Sequence, residues 1–163
     1  MTQRKTGGGV LLAIKNIIQC SIIDTPFLTN NFPDIDLLIC KCTLNYKSFY
    51  ILLLYIPPSV SLELLTAFLE SLELATFLHD KHLLVLDDFN IPNFADQNFN
   101  DRALFTVNHF INFYGSQQLN NIPNKLNRLL DLVISNLDCT VSLNVPPIVK
   151  EDDYHPSLLI YLH

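Results

Sequence analysis

The residues best suited to chemistry stand at the end of one apolar run. His82 to Leu86 (HLLVL) reads as a strand, and it leads directly into Asp87 and Asp88, then Phe89, Asn90 and Pro92. A buried strand that ends in carboxylates at a loop fixes the acid from behind and leaves it reachable in front, which suits a general base or a metal ligand. A second acid, Asp131, falls in the middle of another expected strand, Arg128 to Ser135 (RLLDLVIS). A carboxylate among leucines is costly unless it is bonded or paired, so Asp131 needs a partner. Near the end of the chain, Glu151-Asp152-Asp153-Tyr154-His155-Pro156 sets three acids and a histidine before a last apolar strand, Ser157 to Leu162. Taken alone this is an acidic turn; taken with Asp88 and Asp131 it is an Asp/His pair at a strand entrance. Tyr55 stands near the C-terminal end of the run Lys47 to Ile56, which Pro57-Pro58 stops, and it is either a core aromatic or a phenol aimed at a site.

The elements that must position these groups follow from periodicity. Asp36 to Leu44 and Lys47 to Ile56, joined by Asn45-Tyr46, read as an antiparallel pair, and the near-continuous apolarity of the second marks a central strand covered on both faces. Ser59 or Ser61 can cap a helix running to about His79. In it Leu62, Leu65, Phe68, Leu69, Leu72, Ala75 and Thr76 form the apolar stripe, and Glu63, Glu70 and Glu73 face outward. Asp101 to Tyr114 repeats the helical spacing at Leu104, Val107, Ile111 and Tyr114, with Gly115 as the stop and His109 a surface or packed histidine rather than a ligand. Val10 to Lys15, Ile17 to Ile23 and Asp138 to Val145 have strand length and composition. Gly7-Gly8-Gly9 precedes a strand and lacks the Lys-Ser/Thr of a phosphate-binding loop, so it reads as a turn.

Composition excludes several classes. The chain has 163 residues, 49% hydrophobic and 16% charged, with 4 glycines, which describes one filled core rather than a disordered or repetitive protein. The longest apolar run, Phe49 to Ile56, is far short of the roughly 20 residues that a membrane helix needs, and the N-terminus lacks the pattern of a secretory signal. The expected location is intracellular. A net charge of -6 repels phosphate polymers, so nucleic-acid binding would have to be local or depend on a bound cation. The four cysteines, Cys20, Cys40, Cys42 and Cys139, lack the clustered pairs of a zinc site and read as buried free thiols in a reducing compartment.

The series Tyr55-Ile-Pro-Pro, Asp88-Phe-Asn90, Leu-Asp131-Leu-Val-Ile-Ser and acids before His155, together with the opening Gly-Gly-Gly-Val-Leu-Leu-Ala-Ile-Lys, resembles the endonuclease/exonuclease/phosphatase superfamily. Within it the chain looks most like the endonuclease domain of insect non-LTR retrotransposons. The resemblance implies an α/β, DNase I-like two-sheet β-sandwich flanked by helices and incomplete at the N-terminus, with residues 1–163 as the C-terminal portion of one domain. It further implies Mg²⁺- or Mn²⁺-dependent nicking of DNA, in the nucleus. Asp88 would orient or deprotonate the attacking water, Asn90 would hold the phosphate or that water, and His155 would donate to a non-bridging oxygen. Asp131 would fix the imidazole, Tyr55 would reach the phosphate, and Asp152 or Asp153 would help hold the metal. Three departures stand against full activity. The segment that supplies the family's metal-binding Glu has no counterpart, since no acid precedes Asp24; Asp87 stands where a Gly is usual; and Tyr154 separates Asp153 from His155. The expectation is weak or absent nicking, and the alternative is an inactive remnant or a nucleic-acid- or protein-binding module with the same fold.

Overall fold

The computed structural model describes residues 9–91, 94, 101–147 and 153–163, apart from the side chain of Asp87. Its elements run β1 (Gln19–Ile23), α1 (Pro26–Asn31), β2 (Asp36–Leu44), β3 (Lys47–Tyr55), α2 (Leu62–Glu73), a short 3-10 turn (Thr76–Leu78), β4 (Leu83–Asp88), α3 (Arg102–Phe113), β5 (Gln117–Gln118), β6 (Asp131–Ser135), β7 (Cys139–Leu143) and β8 (Leu158–Leu162). Six strands form one sheet in the order β1-β2-β3-β4-β6-β5, and β7 and β8 form a second, two-stranded sheet.

The hairpin β2-β3 turns on Asn45 and Tyr46, both left-handed at φ 50° and 64°, as a two-residue turn between twisted strands requires. β3 then pairs in parallel with β4, and α2 makes the crossover between them. Alternation decides the two faces of the large sheet. Ile39, Leu52, Leu54, Leu83, Val85, Leu132 and Ile134 point to the helical side, where Phe68, Leu69 and Leu72 of α2 and Val107, Phe110 and Ile111 of α3 close the main core. The opposite face carries Cys40, Cys42 and Phe49 at one end. Its other end carries the candidate site, with Leu158 and Ile160 of β8 lining a cavity beside Leu86 and Val133.

Local chemistry sets the helix ends. Ser61 accepts from the Leu64 amide at the start of α2, and Asp101 accepts from the Ala103 and Leu104 amides at the start of α3. The helix expected to reach His79 stops at Glu73. The following 3-10 turn brings Leu78 fully into the core, and His79 folds back so that its Nε2–H donates to the Glu73 carbonyl at 2.6 Å, taking the place of a glycine cap. Glu73 does not face solvent as expected: its side chain is 12% exposed in the groove between α2 and α3, paired with His109 at 3.0 Å.

Other differences have similar causes. Pro26 opens a short helix, since proline suits the first helical position. Residues 10–15 form no strand, since they have no ladder partner among the described residues; Leu12 and Ile14 still pack on the Cys40-Cys42-Phe49 cluster. Cys20 is exposed, whereas Cys40, Cys42 and Cys139 are buried free thiols as expected. Asp131 is the first residue of its strand rather than the middle, because Leu129 and Leu130 are buried without joining the ladder. Gly9 is exposed in a left-handed conformation, consistent with a turn, while Gly7 and Gly8 lie outside the described residues. Among the described residues no helix is long and apolar enough to cross a membrane.

Candidate active site

Sheet register assembles the site. Tyr55 at the end of β3 is the partner of Asp88 at the end of β4, and Asp88 is the partner of Asp131 at the start of β6. Laterally paired residues share a face, so Tyr55, Asp88 and Asp131 form one row across three strands, on the side away from the helices. The backbone holds the row at both ends: the Ile56 amide donates to the Asp88 carbonyl and the Phe89 amide to the Leu130 carbonyl.

His155, in the loop before β8, reaches over this row. Its Nδ1 lies 3.0 Å from Asp131 Oδ1 and its Nε2 lies 3.8 Å from Asp88 Oδ2. A carboxylate can only accept, so Nδ1 carries the proton toward Asp131, which fixes the ring and aims Nε2 at the space before Asp88. The 3.8 Å separation is too long for a direct hydrogen bond. The side chains of Asp88 and Asp131 are 14% and 22% exposed and that of His155 is 43% exposed, so the acids sit in a shallow recess under an accessible imidazole. Beside them is a cavity of about 300 Å³ between the two sheets, lined by Leu86, Val133, Pro156, Leu158 and Ile160.

Asn90 adopts φ 50°, a conformation that asparagine tolerates, and its Nδ2 donates to the Ile56 carbonyl at 3.0 Å. It therefore ties the loop after β4 to the loop after β3, next to the acid row. Asp153 ion-pairs with Lys125, 2.7 Å from Nζ to Oδ1, and its carbonyl accepts from the Lys125 amide. Asp152 lies outside the described residues. Thus the structure brings together Asp88, Asp131 and His155, sets Tyr55 and Asn90 at their side, and places Asp153 in the strap that anchors the histidine loop.

Two supporting residues escaped the sequence reading. Asn120 is fully buried; its Nδ2 donates to the Asp131 carbonyl at 2.7 Å and its Oδ1 accepts from the Ile122 amide at 2.9 Å. Lys125 is the other half of the strap. Both stand in a polar stretch that reads as loop, and only the excess of asparagines there, capable of bonding their own backbone, hinted at an ordered turn.

The ligand atoms of Asp88, Asp131 and His155 all lie within 4.8 Å of one another. The carboxylate oxygens of Asp88 and Asp131 fit a divalent cation such as Mg²⁺ or Mn²⁺, with the imidazole of His155 beside it.

A six-stranded mixed sheet with helices on its outer face and a two-stranded sheet on the other side is the DNase I-like fold. The structure is similar to the endonuclease domain of TRAS1, a telomere-specific non-LTR retrotransposon, with a TM-score of 0.62, at 14% identity over 88% of this chain and 68% of that one. It is also similar to the human Nocturnin catalytic domain with bound sulfate (TM-score 0.48, 14% identity, 77% of this chain and 50% of that one). A third match is an endonuclease/exonuclease/phosphatase family protein from Bacteroides thetaiotaomicron (TM-score 0.41, 10% identity, 66% and 42%). The sequence matches no protein-family model and no curated protein.

Proposed function

We propose that this protein is a metal-assisted phosphodiesterase of the retrotransposon endonuclease type, acting on DNA in the nucleus and cutting slowly. The observation that carries this reading is the imidazole of His155, bonded through Nδ1 to Asp131 and directed through Nε2 toward Asp88. Phosphodiester hydrolysis needs a positioned water, a proton donor to the phosphoryl oxygens and a counter-charge for what develops on them. Asp88 is placed to orient the water and take its proton. Doubly protonated His155 donates from Nε2 to a non-bridging oxygen while Asp131 holds the ring and balances its charge. Tyr55 offers a hydroxyl from the neighbouring strand, and the Oδ1 of Asn90 can accept from the water. A divalent cation, Mg²⁺ or Mn²⁺, held by Asp88 and Asp131 would neutralise the developing negative charge. It would also answer how a chain of charge -6 holds a phosphate polymer.

The test is nicking of supercoiled plasmid in Mg²⁺ and in Mn²⁺, with and without EDTA. We expect slow, EDTA-sensitive conversion to the relaxed circle, reduced by about two orders of magnitude or more in Asp88→Ala and in His155→Ala. Nicking that is undiminished in both variants would refute the assignment. Retention of DNA in a gel shift without any cutting would move the protein to the second reading, a binding module built on the same fold.

A further inference from the structure

At the end of the large sheet away from the carboxylates, three thiols gather on one face. Cys20 of the edge strand β1 is the cross-strand partner of Cys42 of β2, and their sulfurs lie 3.6 Å apart. Cys40, two residues before Cys42, shares that face. The three differ in access: Cys20 is exposed, Cys40 is 2% exposed and Cys42 is fully buried. Burial, reinforced by bonding to Cys20, raises the thiol of Cys40 to about 11 and that of Cys42 to about 12. Neither buried thiol is a ready nucleophile at neutral pH, whereas Cys20 stands on the exposed edge strand.

We propose that Cys20 and Cys42 are a modification site, closing a reversible cross-strand disulfide by exchange with a low-molecular-weight disulfide such as oxidised glutathione. The Cys20 thiolate attacks one sulfur of glutathione disulfide, forming a mixed disulfide and releasing one glutathione thiolate, which takes up a proton. The Cys42 sulfur then attacks the Cys20 sulfur as it loses its own proton, the Cys20–glutathione bond breaks, and the second glutathione leaves as its thiol. Two protein thiols are oxidised and one glutathione disulfide is reduced to two thiols. The sulfurs need to close from 3.6 Å to about 2.05 Å, a movement that side-chain rotation within a registered strand pair can supply. Cys42 resolves the intermediate because it stands directly opposite Cys20, while the strand partner of Cys40 is Ile22. The bond would latch β1, which is exposed along nearly its whole length, to the sheet that carries it.

Trypsin makes the linkage readable. Cleavage after Lys15, Lys41 and Lys47 puts Cys20 and Cys40 in the peptide 16–41 and Cys42 in the peptide 42–47. The native protein is incubated with oxidised glutathione, blocked with iodoacetamide, digested without reductant and analysed by mass spectrometry, beside a thermal melt. We expect the two peptides joined, the same linkage in Cys40→Ala, its loss in Cys20→Ser, and a rise in Tm of several degrees that dithiothreitol reverses and Cys20→Ser lacks. A disulfide closed within peptide 16–41, a glutathione adduct that persists on Cys20, covalent dimers, or joined peptides that survive Cys20→Ser would each overturn the proposal.

Discussion

His155 and Asp131 are joined by one hydrogen bond, Nδ1 to Oδ1 at 3.0 Å, although 24 residues separate them in the chain. Asp131 cannot drift, because it is the first rung of β6 and its own carbonyl is gripped by Asn120. The loop bearing the histidine is held from the other side by Lys125 on Asp153. The imidazole is therefore held chiefly through Asp131, and the solvent-exposed Lys125–Asp153 pair is a weaker tie on its loop. This is the pre-organisation expected where hydrogen bonds must be in place as charge develops.

Asp131→Asn tests that relationship. An amide keeps the size of the side chain but can present its NH₂ to Nδ1 and favour the other tautomer, and it no longer balances a protonated ring. We expect DNA cleavage to fall by about 10² to 10⁴-fold, with DNA binding nearly unchanged. The check is the plasmid-nicking rate of both proteins beside their urea midpoints. The fall should persist when the rate is expressed per folded protein, which a merely weakened fold would not give.

Asn120→Ala should be destabilising out of proportion to its size. It strands the buried Asp131 carbonyl and the Ile122 amide, each of which then lacks its bond. The loss expected is about 1–3 kcal/mol, measured by urea denaturation of both proteins. Because the freed carbonyl belongs to Asp131, nicking by the fraction still folded should also fall. Unchanged stability would mean that the loop finds another partner for those groups.

Much of the scaffold was legible in the residues. Two apolar runs of strand length and the Asn45-Tyr46 turn between them placed the β2-β3 hairpin, and three- and four-residue apolar spacing placed α2 and α3, because these are short-range signals. The chemical residues were legible through their anomaly, acids and a histidine at the ends of apolar runs. Register was not legible. Only pairing across β3, β4 and β6 puts Tyr55, Asp88 and Asp131 in one row, and such pairing depends on partners far apart in sequence. The two-residue strand Gln117–Gln118 and the clamp by Asn120 were hidden for the same reason, since their role lies wholly in β6. Residues 10–15 show the converse: an apolar segment of strand length, without a ladder partner among the described residues, packs on a cluster but forms no strand.

The two helix caps give a paired stability test. Ser61→Ala removes the acceptor for one amide at the start of α2, and Asp101→Ala removes the acceptor for two amides at the start of α3. We expect a loss of about 1 kcal/mol for Ser61 and as much as about 2 kcal/mol for Asp101, because a charged acceptor also meets the helix dipole. Urea midpoints should fall with no change in the slope m, and the double variant should lose close to the sum, unless coupling through the α2-α3 interface intervenes.

Alkaline pH should weaken the fold, and the direction follows from three groups. Burial raises the Tyr114 phenol well above its ordinary value, with the negative charge of Glu73 adding to the effect, and its hydroxyl donates to the Leu72 carbonyl at 2.6 Å. Burial likewise raises Cys40 to about 11 and Cys42 to about 12. For each group the unfolded chain releases its proton at a lower pH than the folded one. The stabilisation is therefore complete below the unfolded pKa and is lost as pH rises toward the folded value. The decline should begin near pH 8.5 as unfolded thiols ionise, and steepen above about pH 10 when unfolded tyrosine ionises as well. Tyr114→Phe loses the bond to Leu72, so it starts out less stable at neutral pH by about 1 kcal/mol. It should then fall less steeply than the parent above about pH 10, and urea titrations at pH 7, 9 and 10.5 in the presence of reductant would read both effects. Parallel curves for the two proteins up to the highest pH would show that Tyr114 carries none of the alkaline sensitivity.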